Sequence, residues 1–245
     1  MCKIYTNYLI IMTIQNVTDI EALNNKFLHG NPRLLLEHSI NNLFKNKIAY
    51  VCSFGTESAI ILDLISKIDK DLPIILLNTR FLFKETIKYK NELLKLLGLK
   101  NCREVFPDEK NLNKYDKDNS LWKKDADKCC NLRKVIPLEN SLNDFESWIS
   151  GRKSYHLGDR QNLKAFELIN DKIVVNPLFN STKEFIEDYF HSHNLPKHPL
   201  FENGYLSIGC THCTVKTMNI EDPRQGRWSD KPKTECGIHL DNRKD

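Results

Sequence analysis

An apolar run that ends in a turn of small residues and passes at once into a helical pattern occurs at positions 48–67, and little else in the chain narrows its fold as far. Ile48-Ala49-Tyr50-Val51-Cys52 reads as a buried strand, Ser53-Phe54-Gly55-Thr56 as a tight turn, and Glu57 to Lys67 as a helix. The same grammar returns. Pro73 to Leu77 is a second buried strand, Lys84 to Leu97 an amphipathic helix stopped by Gly98, and Asn101 to Phe106 a third strand closed by Pro107. Successive βα units predict an open, doubly wound and mostly parallel sheet of the α/β class, whose ligands bind where strands end, as at Ser53 and Asn78. A helix is expected before the first strand, over Arg33–Lys45. Later elements are expected near Leu132–Leu142 (helix), Glu146–Ser150 and Lys172–Val175 (strands), and Ser181–His191, a helix opened by the capping-box pattern Ser181-Thr182-Lys183-Glu184. The polar stretch from Pro107 to Ser120 reads as a surface loop without chemistry.

At 245 residues the chain suits one core with extensions: residues 1–30 as an N-terminal extension, 31–218 as the main body, and 219–245 as a polar, mobile C-terminal tail with Pro223, Gly226, Pro232 and Gly237. Apolar content of 40% and charged content of 28% describe a globular chain, and a net charge of +4 suits a small anionic ligand without supplying the basic stripe of a nucleic-acid binder. No apolar run reaches the roughly 18 residues of a membrane span. The short apolar run Tyr8–Met12 lacks a signal-peptide cleavage pattern, which predicts a cytoplasmic protein, with Met12 as an alternative start to Met1.

Eight cysteines in such a chain read as metal or redox chemistry rather than as a disulfide framework. Cys129-Cys130 and Cys210-x-x-Cys213 offer four thiolates, the number an iron–sulfur cube requires. Four-cysteine zinc is the competing reading, but zinc generally recruits two C-x-x-C pairs, so the adjacent cysteines favour a cluster; a redox C-x-x-C leaves Cys129 and Cys130 unexplained. On a helix, neighbouring residues diverge by about 100°, so the vicinal pair calls for a bend in the backbone or a cluster lying over its shared edge. Cys236 differs. It lies in Lys233-Thr234-Glu235-Cys236-Gly237-Ile238-His239 with Arg224, Arg227, Lys231 and Lys233 nearby, surroundings that favour a thiolate nucleophile, against the bland alternative of a stray surface thiol. In the turn Ser53 to Ser58, backbone N–H groups and hydroxyls can cradle an anion at a helix N-terminus, with Ser53, Gly55, Thr56 and Glu57 as candidate substrate-binding residues; the glutamate is expected to cap the turn or face away.

Several segments in order, from about residue 30 to 240, resemble the assimilatory adenylyl-sulfate (APS) and phosphoadenylyl-sulfate (PAPS) reductases: Ser53–Ser58, Asp127–Leu138, Trp148–Lys153, Val175–Leu178, Ser207–Cys213, and Glu221–Trp228 with Lys233–His239. The resemblance implies an adenine-nucleotide alpha-hydrolase-like fold. It further implies a 4Fe-4S cluster on Cys129, Cys130, Cys210 and Cys213, as in the cluster-bearing branch that typically reduces APS, with PAPS-preferring or dual-specificity enzymes as the alternative. Attack by Cys236 on the sulfate sulfur, an enzyme S-sulfocysteine, and release of sulfite by external thioredoxin or glutaredoxin follow from it, as do roles for Lys134, Arg152, Arg160, Arg224 and Arg227 on phosphate and sulfate oxygens. A homo-oligomer is left open. Two stretches depart from the family pattern: Asn78-Thr79-Arg80, where a glycine is usual at the third position, and Ser154–Asp159. A zinc-stabilised nucleotide-binding module and an ATP-dependent tRNA-modifying relative are the rival readings, the latter disfavoured by the lack of a Ser-Gly-Gly-x-Asp-Ser loop.

Overall fold

The computed structural model describes residues 17–156, 160–219 and 221–240. Met1, Met12, the Tyr8–Met12 run, Cys2 and the last part of the 154–159 segment lie outside them. The short apolar runs become the strands β1 (Ile48–Val51), β2 (Ile74–Leu77), β3 (Cys102–Val105), β4 (Ser147–Ile149), β5 (Phe166–Ile169) and β6 (Lys172–Val175) of one sheet, in the order β3-β2-β1-β4-β6-β5. All neighbours run parallel except the edge pair β5 and β6. β5 is an addition to the expected set. Its signal was the dipeptide Asn170-Asp171, both at positive φ (48° and 62°), which turns one short strand directly into the next.

Because side chains alternate along a strand, each strand feeds two cores. Ile48, Tyr50, Ile74, Leu76, Ile173 and Val175 face one, and Ala49, Ile75, Leu77, Trp148 and Val174 face the other. The first core is covered by α1 (Val17–Lys26), α2 (Pro32–His38), α3 (Ser58–Ser66), α4 (Lys84–Leu97) and the later helix at Lys183–Ser192. Ile20, Leu23 and Phe27 are buried in it, so the described part of the N-terminal extension packs as part of the body. Helices on both faces make the sheet doubly wound, as expected. Among the described residues, no helix is long and apolar enough to cross a membrane.

Two expectations change between β3 and β4. The stretch after Pro107 is not a bare loop: Asp108 accepts a hydrogen bond from Asn111 N (2.9 Å) and opens α5 (Glu109–Tyr115), after which Asp116 is buried. α6 (Leu121–Lys124) follows. The helix after it starts earlier than expected, as α7 (Ala126–Cys130), widens into a π-helical turn at Asn131–Val135, and continues as α8 (Ile136–Ser141). Near the end of the body, α9 (Lys183–Ser192) is capped by Thr182, whose Oγ1 accepts from Phe185 N at 3.2 Å, rather than by Ser181.

The chain builds β1, β2 and β3 outward on one side, then returns to place β4 on the other flank of β1. Loops leaving the carboxyl ends of β1 and β4 therefore diverge, and a crevice opens between them.

Candidate active site

The turn after β1 and the segment Ser150–Lys153 after β4 form the walls of that crevice, and residues 206–209, 224–228 and 235–239 close over it. All the expected substrate-side residues line this one pocket: Ser53, Gly55, Thr56, Glu57, Lys134, Arg152, Arg160, Arg224 and Arg227, together with Cys236. In the β1 turn, Phe54 is fully buried at φ 48°, anchoring a sharp reversal, and Thr56 Oγ1 donates to Leu206 O (3.2 Å).

Glu57 neither caps its helix nor faces away. Its carboxylate pairs with Lys153 Nζ (2.5 Å), accepts from Tyr155 Oη, and lies 3.6 Å from His156 Nε2. Burial alone would raise its pKa, but Lys153 and His156 outweigh that and hold the carboxyl well below the usual carboxylate range. The pKa of His156 is lowered as well, to about 4, chiefly by burial. Lys153, Tyr155 and His156 were not singled out in the sequence; Lys153 follows Arg152 directly, and only the fold brings it under the β1 turn.

The arginines are each committed to a partner. Arg152 contacts the carboxylate of Glu167 and approaches Ser150 Oγ and Asn176 Oδ1, both at 3.4 Å. Arg160 forks onto Glu235, with Nε to Oε1 at 2.5 Å and a terminal nitrogen to Oε2 at 3.0 Å. Arg224 donates to Thr234 O (2.6 Å) and lies 3.3 Å from Glu235, and its own pKa falls to about 10, first through burial and then through its cationic neighbour Arg160. Arg227 donates from Nε to Cys213 O (3.0 Å) and lies flat against Gly209, where an added Cβ would fall 2.2 Å from the guanidinium. Arg80, by contrast, does not line the pocket: at φ 68° it turns outward to pair with Glu109 on α5.

Residues 224–239 lie across the strand ends. Trp228 is buried, Ile238 packs with Val51, Leu77 and Trp148, and His239 stacks on Trp148 with centroids 5.0 Å apart. His239 Nδ1 is buried without a hydrogen-bond partner beside Arg152, Arg160 and Arg224; burial first, then those cations, hold the ring neutral. Lys233 pairs with Asp127 on α7.

The four candidate ligand cysteines come from two segments, 129–130 and 210–213, which Arg133 and the loop after β2 tie together. Its guanidinium, 1% exposed, donates to Asp116 Oδ2 (3.1 and 2.5 Å), to Thr79 O (3.0 Å) and to Asn119 Oδ1 (2.8 Å), and packs 4.1 Å from the Phe81 ring. This fixes the α7 end, which bears Cys129 and Cys130, to the loop after β2. That loop pairs with the next segment through the Leu82–Cys210 bridge, the Thr211 N bond to Phe81 O (2.7 Å), and Thr79 Oγ1 3.2 Å from Cys210 Sγ. Cys129, Cys130 and Cys210 are buried and Cys213 is half-buried, all as free thiols. Mutual proximity and burial raise Cys129 to about 12 and Cys130 to about 11, burial being the larger cause. Cys129 and Cys130 are the last two residues of regular α-helix, Cys130 at φ −65° and ψ −40°, and the π turn begins only at the next residue, so the expected bend does not fall between them. Trp228 Nε1 is buried with no hydrogen-bond partner and neighbours Cys213, whose thiol is pushed up by burial first and then by Cys210, with Trp228 acting weakly in the opposite direction.

A family model described as the phosphoadenosine phosphosulfate reductase domain matches residues 47–216. Among similar proteins, the adenosine 5'-phosphosulfate reductase of Mesorhizobium japonicum is 41% identical over 212 residues, covering 86% of this chain and 84% of that one. The protein of the same name from a Chelativorans species is 38% identical over 226 residues, covering 91% and 92%. In fold, the phosphoadenylyl-sulfate reductase of Candida auris, solved as a phosphate complex, superposes with a TM-score of 0.70 at 24% identity over 82% of this chain and 98% of that one. Candida glabrata FMN adenylyltransferase shares the architecture more distantly, with a TM-score of 0.57 at 16% identity, over 85% of this chain and 71% of that one. A doubly wound sheet with its crevice at the β1/β4 divergence, matched over most of its length by these relatives, places the chain in the phosphoadenosine phosphosulfate reductase family.

Proposed function

We propose that the chain reduces adenylyl sulfate to sulfite and AMP in assimilatory sulfate reduction, with Cys236 as the nucleophile and a thiol protein as the external reductant. The observation that carries this is the position of Cys236: it lines the same pocket as the β1 turn and the Lys134, Arg152, Arg160, Arg224 and Arg227 cations, at the strand ends where a nucleotide binds in such sheets. The Cys236 thiolate attacks the sulfate sulfur, forming an S–S bond as the S–O bond to the phosphate breaks and AMP leaves. One thiol of a dithiol reductant then attacks Cys236 Sγ and releases sulfite; its second thiol resolves the mixed disulfide and returns Cys236 as a thiol. The reductant is external, with thioredoxin or glutaredoxin as the chemical type. For the first step residues 233–239 keep Cys236 at the pocket, and for the second they swing outward to present it. Lys134 lines the pocket among Cys130, Cys210 and Cys236. Burial opposes its charge, but those thiols hold the ammonium above its usual range, so it stays cationic toward a sulfate oxygen.

Cys129, Cys130, Cys210 and Cys213 fit a 4Fe-4S cluster. A cube takes its thiolates at separate corners, and these four come as two close pairs from two chain segments. The Trp228 N–H beside Cys213 suits a sulfur acceptor. When bound, the cluster would supply a rigid anchor between these two chain segments and a fixed negative charge beside Lys134.

Anaerobic purification is expected to give a brown protein with four iron and four sulfide per chain; stoichiometric zinc in a colourless protein refutes the cluster. Sulfite production from APS should vanish in Cys236→Ser with iron content unchanged, and wild-type enzyme should yield an S-sulfo adduct on Cys236 when reductant is withheld. A higher kcat/KM for PAPS than for APS overturns the choice of substrate.

A further inference from the structure

The cations expected to bind the substrate's anion are engaged by a carboxylate of the chain itself. Glu235 lines the pocket with 10% of its side chain exposed, and its two oxygens meet Arg160 in a parallel fork at 2.5 and 3.0 Å, with Arg224 at 3.3 Å. A guanidinium fork binds carboxylate and phosphate or sulfate through the same edge, so one occupant excludes the other from it. Burial alone would raise Glu235, but hydrogen bonds and charge from Arg160, with Arg224 behind, hold it below the usual carboxylate range, so the occupant is an anion at neutral pH. Glu235 is bonded directly to the next residue, Cys236, so whatever fixes its carboxylate also fixes the nucleophile. A second ion pair, Lys233 with Asp127, secures the same segment to α7 and involves none of the pocket arginines.

Resting on the sulfonucleotide reading of this pocket, we propose that Glu235 is a positioning residue that acts as an internal anion. In the empty site it docks the segment on Arg160 and Arg224, and an incoming phosphosulfate takes those guanidiniums and releases residues 234–236, while Lys233 stays paired with Asp127. Docking and anion binding are then negatively linked, and by reciprocity whatever weakens one strengthens the other. The exchange keeps the arginines ordered and their charge compensated before substrate arrives. It also frees the Cys236 backbone at the moment its sulfur must approach the sulfate.

The test uses adenylyl sulfate as ligand in a Cys236→Ser background, where it binds without turnover. Adding Glu235→Gln, which retains the shape and loses the charge, should tighten the dissociation constant about tenfold or more, since a charge-assisted competitor has been removed. Glu235→Asp, which retains the charge, should stay near the background value. With Glu235 intact, adenylyl sulfate should speed amide hydrogen exchange at residues 234–236, a readout that stands even where the glutamine variant fails to fold. Unchanged or weaker binding by Glu235→Gln, or slower exchange at 234–236 on ligand binding, overturns the inference while leaving the nucleotide site intact. Absence of adenylyl sulfate binding in every variant, with no sulfite from wild-type enzyme, overturns the reading beneath it as well.

Discussion

Asp116→Ala removes the partner of a guanidinium that is 1% exposed and leaves Arg133 with only the Thr79 carbonyl and Asn119 amide oxygens as acceptors. Breaking a buried pair from one side costs about 3–5 kcal/mol, because the surviving charge stays desolvated. Asp116 Oδ1 also accepts from Leu121 N at 2.8 Å, so a backbone donor at the start of α6 is orphaned, adding about 1–3 kcal/mol. A loss of at least about 4 kcal/mol is therefore expected, a large share of the roughly 5–15 kcal/mol typical of a folded domain. Urea denaturation of metal-free protein checks this without interference from ligation. Function should suffer by a separate route: Arg133 joins the α7 end to the Thr79 loop, so iron per chain should fall even in the folded fraction. A charge-free replacement distinguishes pairing from mere filling. Asp116→Leu with Arg133→Met should recover much of the stability, as buried pairs replaced on both sides often do. A loss under about 1 kcal/mol for Asp116→Ala, or unaltered iron content, would show that the pair is not what joins these segments.

Arg80→Gly relieves a left-handed backbone that costs a side chain about 1 kcal/mol and gives up an exposed pair with Glu109 worth about 0–1 kcal/mol, so stability should be unchanged or slightly higher. Because Arg80 lies off the pocket, kcat/KM for APS should not move; a drop of tenfold would restore it to the site. Gly209→Ala should displace the Arg227 guanidinium, which is the far end of a flexible chain, so unfolding free energy should change by less than about 1 kcal/mol while KM rises toward the value of Arg227→Ala. Buried His198, whose Nε2 lies 3.1 Å from Thr86 Oγ1, is held down to about 4 by burial. The unfolded chain takes up this proton near pH 6.5 and the folded one near 4, so stability is full above 6.5 and falls through that window by up to about 1.4 kcal/mol per pH unit. His198→Gln should flatten the slope measured by urea titration at pH 7.5 and 5.5; parallel slopes would refute the assignment.

Five of the six strands were legible because each is a short apolar run bounded by turn residues, and such runs have few other fates in a chain of alternating patterns. β5 was missed because Glu167 interrupts its apolar residues and the run is short, as suits an edge strand whose outward face, with Leu168 exposed, is wet. The polar stretch holding Asp116 looked like solvent-exposed loop for a physical reason as well. An acid is buried only when its counter-charge is in place, and Arg133 lies 17 residues further on, beyond any local pattern. Glu57 follows the same rule, with Lys153 and Tyr155 arriving from the segment after the neighbouring strand β4, almost a hundred residues on. The last segment read as a tail because Trp228, Ile238 and His239 are too sparse to form a periodic face. Single large side chains suffice when the cavities that receive them already exist at a strand end.

The cysteines were legible by identity and spacing, yet nothing in their spacing states that three segments meet. That depends on Arg133 reaching Thr79 and on Leu82 pairing with Cys210, contacts between residues of no distinctive type. The pocket's charge was hidden for the opposite reason. A net charge of +4 on the whole chain looks mild, but Lys134, Arg152, Lys153, Arg160, Arg224 and Arg227 crowd one crevice. Such crowding would push the loops apart without compensation; Glu57 pairs with Lys153, Glu167 with Arg152, and Glu235 with both Arg160 and Arg224. Glu57 and Glu167 hang on elements fixed by the sheet. Of the three, Glu235 alone adjoins Cys236, the proposed nucleophile, so under that proposal it is the compensating charge an anionic substrate would displace without dismantling the wall.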